Sequence, residues 1–303
     1  MYATKTPFSM PASGSRSRRP CNLQAAARAR LAENPVMCLI LFAYAHHPDY
    51  RLVLAANRDE FYQRPTASLA FWKDYPDILA GRDLQQMGTW MGVTRRGRLA
   101  AVTNYREARP QHPDAPSRGA LVTDFLTSDL PPGDYLAQIQ AKSHRYNGFN
   151  LIVGDADSLY YYSNRGGRIQ ALAPGIYGLS NHLLDSPWPK IEQGKAELSG
   201  LLQDGQPVDA ERVLQLLQHQ NQVPDHLLPQ TGVSLDWERV LSPIFITSPT
   251  YGTRCSSVLL MEKTGHLRFL ETTWRPAQDY PHPVHTRRFK FQIEPQADRS
   301  AQA

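Results

Sequence analysis

The pattern of apolar and polar positions changes character at Met37. From there the run Met37-Cys38-Leu39-Ile40-Leu41-Phe42 predicts a short buried strand. A polar turn with proline, His46-His47-Pro48-Asp49-Tyr50, separates it from a second apolar run that ends in Asn57-Arg58-Asp59-Glu60. Two such runs joined by a turn predict a hairpin, which sets the start of the first strand beside the end of the second. Cys38 is therefore expected to meet the polar tetrad in space.

Residues 88–94 and 99–106, turning at Arg95-Arg96-Gly97, predict another hairpin. The stretch between the two, with Arg64-Pro65-Thr66, Phe71-Trp72 and residues 79–83, reads as an anchored loop. After a proline-rich loop at 110–116, Ser117 is placed to cap a helix carrying Leu121, Val122, Phe125 and Leu126 on one face, and Asp134 to cap a second over 135–146. Strands follow at 149–154, 158–163, 168–172 and 176–180. Amphipathic helices are expected at 190–202 and 208–220, then strands at 244–247, 256–262, 267–273 and 288–293. Hairpin-linked strands alternating with helices make an α+β pattern, accounted for by two antiparallel sheets packed face to face between helical layers. The chain carries no repeat of 20–50 residues and no apolar run near the roughly 20 residues of a membrane-spanning helix.

Composition narrows this further. At 303 residues, 41% hydrophobic and 20% charged, the chain has room for one large core or two small ones. Lys5, Arg16, Arg18, Arg19, Arg28 and Arg30 stand against Glu33 alone, so the whole formal excess of +5 lies in the first 36 residues. The remainder is formally neutral and offers no argument for nucleic-acid binding. The organisation expected is a disordered basic extension over 1–36, a single domain over 37–293 and a disordered polar tail over 294–303. The extension reads three ways: a transit peptide, rich in Arg and Ser and poor in acids; a disordered basic arm; or sequence ahead of a true initiator at Met37. The cysteines Cys21, Cys38 and Cys255 are odd in number and lack metal spacing, which points to a reducing compartment. The expected location is cytoplasmic, or mitochondrial if 1–36 is a transit peptide.

The candidate chemistry begins at Cys38. In an apolar strand a cysteine is ordinarily a small buried hydrophobe, but this one follows a methionine directly. If Met37 is removed, one residue owns a thiol and a free α-amine that titrates near neutrality and can take the thiol proton. Arg58 could lower the thiol pKa and bind a carboxylate, and Asp59 could orient the amine; the alternative for the tetrad is a solvated turn. Asn104 and Asn181 are each either an oxyanion donor or a turn residue. Arg254 is either a substrate clamp or a solvated loop residue. His46-His47 and the His282/His285 pair lack companion ligands, and neither a phosphate loop nor a dinucleotide fingerprint occurs, so neither metal nor cofactor is expected.

Met37-Cys38-Leu39-Ile40, the tetrad Asn57-Arg58-Asp59-Glu60, Gly88-Thr89-Trp90-Met91-Gly92 and Tyr251-Gly252-Thr253-Arg254 occur in an order that resembles the NRDE-motif family, the homologues of transport and Golgi organisation protein 2. The resemblance runs from Met37 to about Thr273 and includes Asn104 and Gly178 to Asn181. It implies the four-layer αββα fold of amino-terminal nucleophile hydrolases, whose bile-salt hydrolase and penicillin acylase group begins its mature chain at cysteine. By that likeness Cys38 is the nucleophile, Arg58 and Asp59 assist it, Asn104 and Asn181 line the oxyanion side, and Asn57, Glu60 and Arg254 face the substrate. Two features depart from the family: 36 residues precede Met37, and Cys255 stands where Ser or Thr is expected. The family is associated with Golgi organisation, secretion, lipid and acyl-CoA metabolism and haem trafficking. Two functions follow as expectations. One is a hydrolase of a linear amide or acyl (thio)ester; the other is a non-catalytic carrier of haem or acyl-lipid, with Cys38 available as an axial ligand. Either implies a small-molecule partner, with no nucleic acid and no membrane span.

Overall fold

The first hairpin forms as expected from β1 (Met37–Tyr44) and β2 (Tyr50–Phe61), in a computed structural model that describes residues 1–2, 37–109, 111–203, 205–275 and 282–294. The remaining strands of its sheet are β10 (Gly175–Leu179), β11 (Tyr251–Glu262), β12 (His266–Arg275) and β13 (His282–Gln292). Together they make a six-stranded sheet ordered β10-β1-β2-β11-β12-β13. A seven-stranded sheet runs in chain order through β3 (Thr66–Phe71), β4 (Ile78–Asp83), β5 (Met91–Thr94), β6 (Leu99–Asn104), β7 (Phe149–Gly154), β8 (Leu159–Ser163) and β9 (Ile169–Ala171). Every ladder is antiparallel.

The layers follow from which face each residue takes. In β1 and β2, Ile40, Phe42, Leu54 and Ala56 join residues of the other sheet, such as Leu79, Met91 and Ile152, in a core between the sheets. Their neighbours Leu39, Leu41, Val53 and Ala55 face the opposite way, against α3 (Pro189–Leu202) and α4 (Ala210–Leu216). Because β1 is covered on both faces it reads as an unbroken apolar run instead of an alternating one. On the far side, α1 (Arg118–Thr127) and α2 (Pro132–Lys142) pack on the seven-stranded sheet through Leu121, Phe125, Leu136 and Ile139. Three stacked cores give four layers ordered αββα, as the family resemblance implied. α3 lies unusually close to its sheet. A Cβ at Gly194 would fall 2.4 Å from Leu41 Cδ1, and one at Gly178 in β10 would fall 2.5 Å from Ile191 Cγ2.

Several elements differ from the sequence reading. Residues 66–71 and 78–83 are strands where an anchored loop was expected. Flanked by Pro65 and Pro76, the first of them buries only Leu69 and so shows no alternation. β5 begins at Met91; Thr89 is outside it and donates its hydroxyl to the Met91 carbonyl. Residues 244–247 form no strand beyond an isolated bridge between Thr247 and Gly252. Ile244, Phe245 and Ile246 are apolar because they are buried. α2 starts at Pro132, which places Asp134 in its first turn, and the Ser117 side chain makes no capping bond to α1. α4 is shorter than expected, starting after Asp209, whose carboxylate accepts from the backbone N–H groups of Glu211 and Arg212. A helix absent from the sequence reading, α5 (Leu235–Leu241), is capped by Ser234 and packs through Leu241 beside Ile246 and Tyr251. The chain from Pro35 onward forms one compact unit. The expectations for 1–36 and for the tail lie outside the described residues, apart from Met1, Tyr2 and Glu294; the Glu294 N–H donates to the Arg95 carbonyl.

Candidate functional site

The hairpin register sets Cys38 opposite Arg58, Met37 opposite Asp59 and Leu39 opposite Asn57. Since side chains alternate along a strand, the tetrad is divided between two faces. Arg58 and Glu60 point between the sheets with Cys38, whereas Asn57 and Asp59 point toward the helices. On its other side β2 pairs with β11, where a bulge at Arg254 inserts one extra residue between the Thr253–Asp59 and Cys255–Arg58 pairs. Arg58 thus lies between two buried thiols, Cys38 and Cys255, both of them free.

On the inner face Arg58 Nη2 sits 3.5 Å from Glu60 Oε2, and its buried Nη1 has no hydrogen-bond partner. Glu60 accepts from the Phe61 N–H and lies 3.5 Å from Arg64, which pairs at 2.6 Å with Asp83. Arg254 donates to the carbonyls of Phe61 and Arg64, so it ties down the chain leaving β2. Burial pushes the Cys38 thiol up to about 12. Asp59 adds to that shift, while Arg58 and the Asp59 backbone N–H oppose it. With Met37 attached, this is a neutral thiol. Burial also lifts Glu60, against the pull of Arg58, and lifts Cys255, which lies against Glu271.

On the outer face Asn57 is fully committed. Its amide donates to the carbonyls of Leu217 and Ile244, both at 2.9 Å, and its oxygen accepts from Ser256 at 2.6 Å. This is a structural knot joining β2 to the helical layer, away from Cys38. Asp59 Oδ1 accepts from the Thr253 hydroxyl at 2.6 Å, and its buried Oδ2 has no partner. Burial raises Asp59 to about 6; Lys190, then Thr253 and Arg58, hold it back from rising further.

Asn104 and Asn181 do come together, beside the residue that reaches the Cys38 carbonyl. The Asn181 amide donates to the Asn104 carbonyl at 2.9 Å, and the Arg106 N–H donates to the Asn181 carbonyl at 2.7 Å. Ser180 completes the link, since its hydroxyl donates to the Cys38 carbonyl at 3.1 Å. Asn150, held by Tyr161, donates to Thr103 and to the His182 carbonyl.

Sequence reasoning missed three residues here. Arg118, at the start of α1, donates to the Gly148 carbonyl; burial lowers it to about 10 while Glu60 and Cys38 favour its charge. Glu271 accepts from the Leu69 N–H at 2.6 Å and links the two sheets beside Cys255. Lys190 is buried at the start of α3 and donates to the Leu241 carbonyl at 2.9 Å. It alone left a signal: it precedes Gly194 and Leu198 by four and eight residues, so it lies on the apolar stripe of its helix. Among the described residues no three His, Cys, Asp or Glu side chains group around a metal position, and no helix is long and apolar enough to cross a membrane.

The Transport and Golgi organisation 2 family model matches residues 37–276. A Bos taurus Transport and Golgi organization protein 2 homolog is 37% identical over 276 residues, covering 84% of this chain and all of that one. A Mus musculus homolog is 39% identical over 256 residues, covering 78% and 92%. Among solved structures, a Caenorhabditis elegans N-acylethanolamine-hydrolyzing acid amidase ortholog superposes with a TM-score of 0.42 at 11% identity, covering 74% of this chain and 92% of that one. The matched segment opens on the strand that carries Cys38 and ends after β12, so it contains both faces of the tetrad; the chain belongs to the Transport and Golgi organisation 2 family.

Proposed function

We propose that this protein is an intracellular amino-terminal cysteine hydrolase acting on a linear amide or an acyl (thio)ester. The observation that carries the reading is Asp59 Oδ2, a buried carboxylate oxygen without a partner, on the residue that faces Met37 across the hairpin. A buried acceptor of that kind calls for a donor, and the N–H of a free α-amine on Cys38 supplies one. In a chain that starts at Cys38, the amine takes the thiol proton and the sulfur attacks the acyl carbon. The amine then protonates the leaving nitrogen or sulfur. Water, deprotonated by the same amine, hydrolyses the thioester and restores the thiol. Arg58 stabilises the thiolate, and Asn104 and Asn181 supply the oxyanion side.

The raised pKa of Cys38 favours a second reading for a chain that keeps its peptide bond before Cys38. A neutral buried thiol is no nucleophile, and the same site then serves a carrier of haem or acyl-lipid. The two readings separate on one measurement set: the amino-terminal residue of the protein purified from its own cell, and turnover of amide and thioester substrates by that protein and by Cys38→Ser. A chain beginning at Cys38 whose turnover falls at least about a hundredfold in Cys38→Ser supports the hydrolase. Full turnover in Cys38→Ser eliminates the nucleophile.

A further inference from the structure

Lys190 is badly placed by elementary rules. It is a cation in the first turn of α3, where the helix dipole disfavours positive charge. It is also 4% exposed, so its ammonium has lost its hydration. The hydrogen bond to the Leu241 carbonyl uses one of its three donors. The charges that act on it are Asp59 from β2, Arg106 from the chain after β6 and Glu238 from α5; Cys38 of β1, whose side chain takes the other face of the sheet, is a neutral thiol while Met37 is attached. Arg106 repels it. Glu238 is already paired with Arg106 at 2.7 Å and accepts from Thr231. That leaves Asp59 as the compensating charge, and Asp59 in turn carries the unpartnered Oδ2, with Arg58 and Glu60 acting on it from the opposite face of β2.

We propose that Lys190 is a positioning residue for the Cys38 site: its buried ammonium, anchored on the Leu241 carbonyl, keeps Asp59 in the carboxylate form that orients the amine of Cys38. The purpose rests on the hydrolase reading; the coupling between Lys190 and Asp59 does not. Lys190 and Asp59 make no direct ion pair, so the effect acts through space in a region of low dielectric. Lys190 also lines a shallow cleft with Arg106, Trp188, Glu238 and Leu241.

The test follows the Asp59 side-chain carbon by NMR across a pH titration of the full chain, in the wild type, Lys190→Gln and Lys190→Arg. Glutamine keeps a donor for the Leu241 carbonyl and removes the charge. The expected result is an Asp59 midpoint about one unit or more higher in Lys190→Gln, a roughly tenfold tighter proton, with the wild-type value restored in Lys190→Arg. An unchanged midpoint in Lys190→Gln overturns the proposal. Should that variant not fold, the wild type alone decides. Coupling requires a second inflection of the Asp59 signal where Lys190 loses its proton, and a single inflection overturns it. Substrate turnover is measured in parallel. A shifted midpoint without turnover discards the hydrolase and keeps the coupling, whereas turnover with an unshifted midpoint discards Lys190 alone.

Discussion

Asn57 and Arg58 are neighbours in sequence with unrelated surroundings, because successive side chains of β2 face different layers. Asn57 spends both amide hydrogens on the carbonyls of Leu217 and Ile244 and its oxygen on Ser256. Asn57→Asp would turn an acceptor toward those two carbonyls, and a loss of about 3 kcal/mol or more in urea denaturation is expected. A loss below about 1 kcal/mol would mean that the knot is not a structural one. Asp59 is the opposite case, since its remaining oxygen is left over after Thr253 is satisfied. The tetrad therefore combines a fastening residue with residues whose bonding is incomplete.

At the scale of elements, α3 is seated by two close approaches, Gly194 over Leu41 and Gly178 under Ile191. Gly178→Ala should lift the start of α3 from β10 at a cost of about 1–3 kcal/mol and speed amide exchange in its first turns. Unchanged exchange there would show that the neighbours can absorb a methyl group. The same scale explains what could be read in advance. The β1–β2 hairpin was legible because apolar runs and a proline turn are local signals, and with its register came the meeting of Cys38 and Arg58. β3 was not legible, because a mostly half-buried strand between Pro65 and Pro76 shows no alternation, and neither was β4, where Ile78-Leu79-Ala80 runs straight into Gly81-Arg82-Asp83. Lys190, Arg118 and Glu271 reach the site by tertiary packing from distant parts of the chain, and a single sequence carries almost no trace of that. The bulge at Arg254 was equally hidden: it is defined by a two-against-one pairing, which exists only once β11 has met β2.

For the whole molecule the site acts as a charge on stability. Asp59 has a folded pKa near 6, above its ordinary 3.8. Its stabilising contribution is therefore fully present below the unfolded value and is lost as pH rises through the folded one. Relative to Asp59→Asn, the wild type should gain on the order of 1–2 kcal/mol as pH falls from about 7.5 to about 5, read by thermal unfolding of both proteins. A constant difference across that range would mean that Asp59 is not raised. His182, lowered by burial and by Arg106, has the reverse sign and is common to both proteins, so it drops out of the comparison. Lys190, lowered to about 8 in the wild type, loses the supporting charge of Asp59 in Asp59→Asn; the folded variant then binds its proton less tightly, which adds to the wild type's relative gain as pH falls.

The pairing of Met37 with Asp59 also fixes an order of events in the life of the chain. The peptide bond ahead of Cys38 lies within a paired strand, Cys38 is 2% exposed, and its carbonyl is held by Ser180. A protease needs an extended, unpaired segment to cut. Trimming by a protease before Cys38 therefore belongs to synthesis, before β1 is closed into its sheet, and a molecule that folds with Met37 attached keeps it from proteases for as long as it stays folded. Pulse-labelled nascent chains would carry the cut from the first minutes, and no slow conversion of the folded pool would follow.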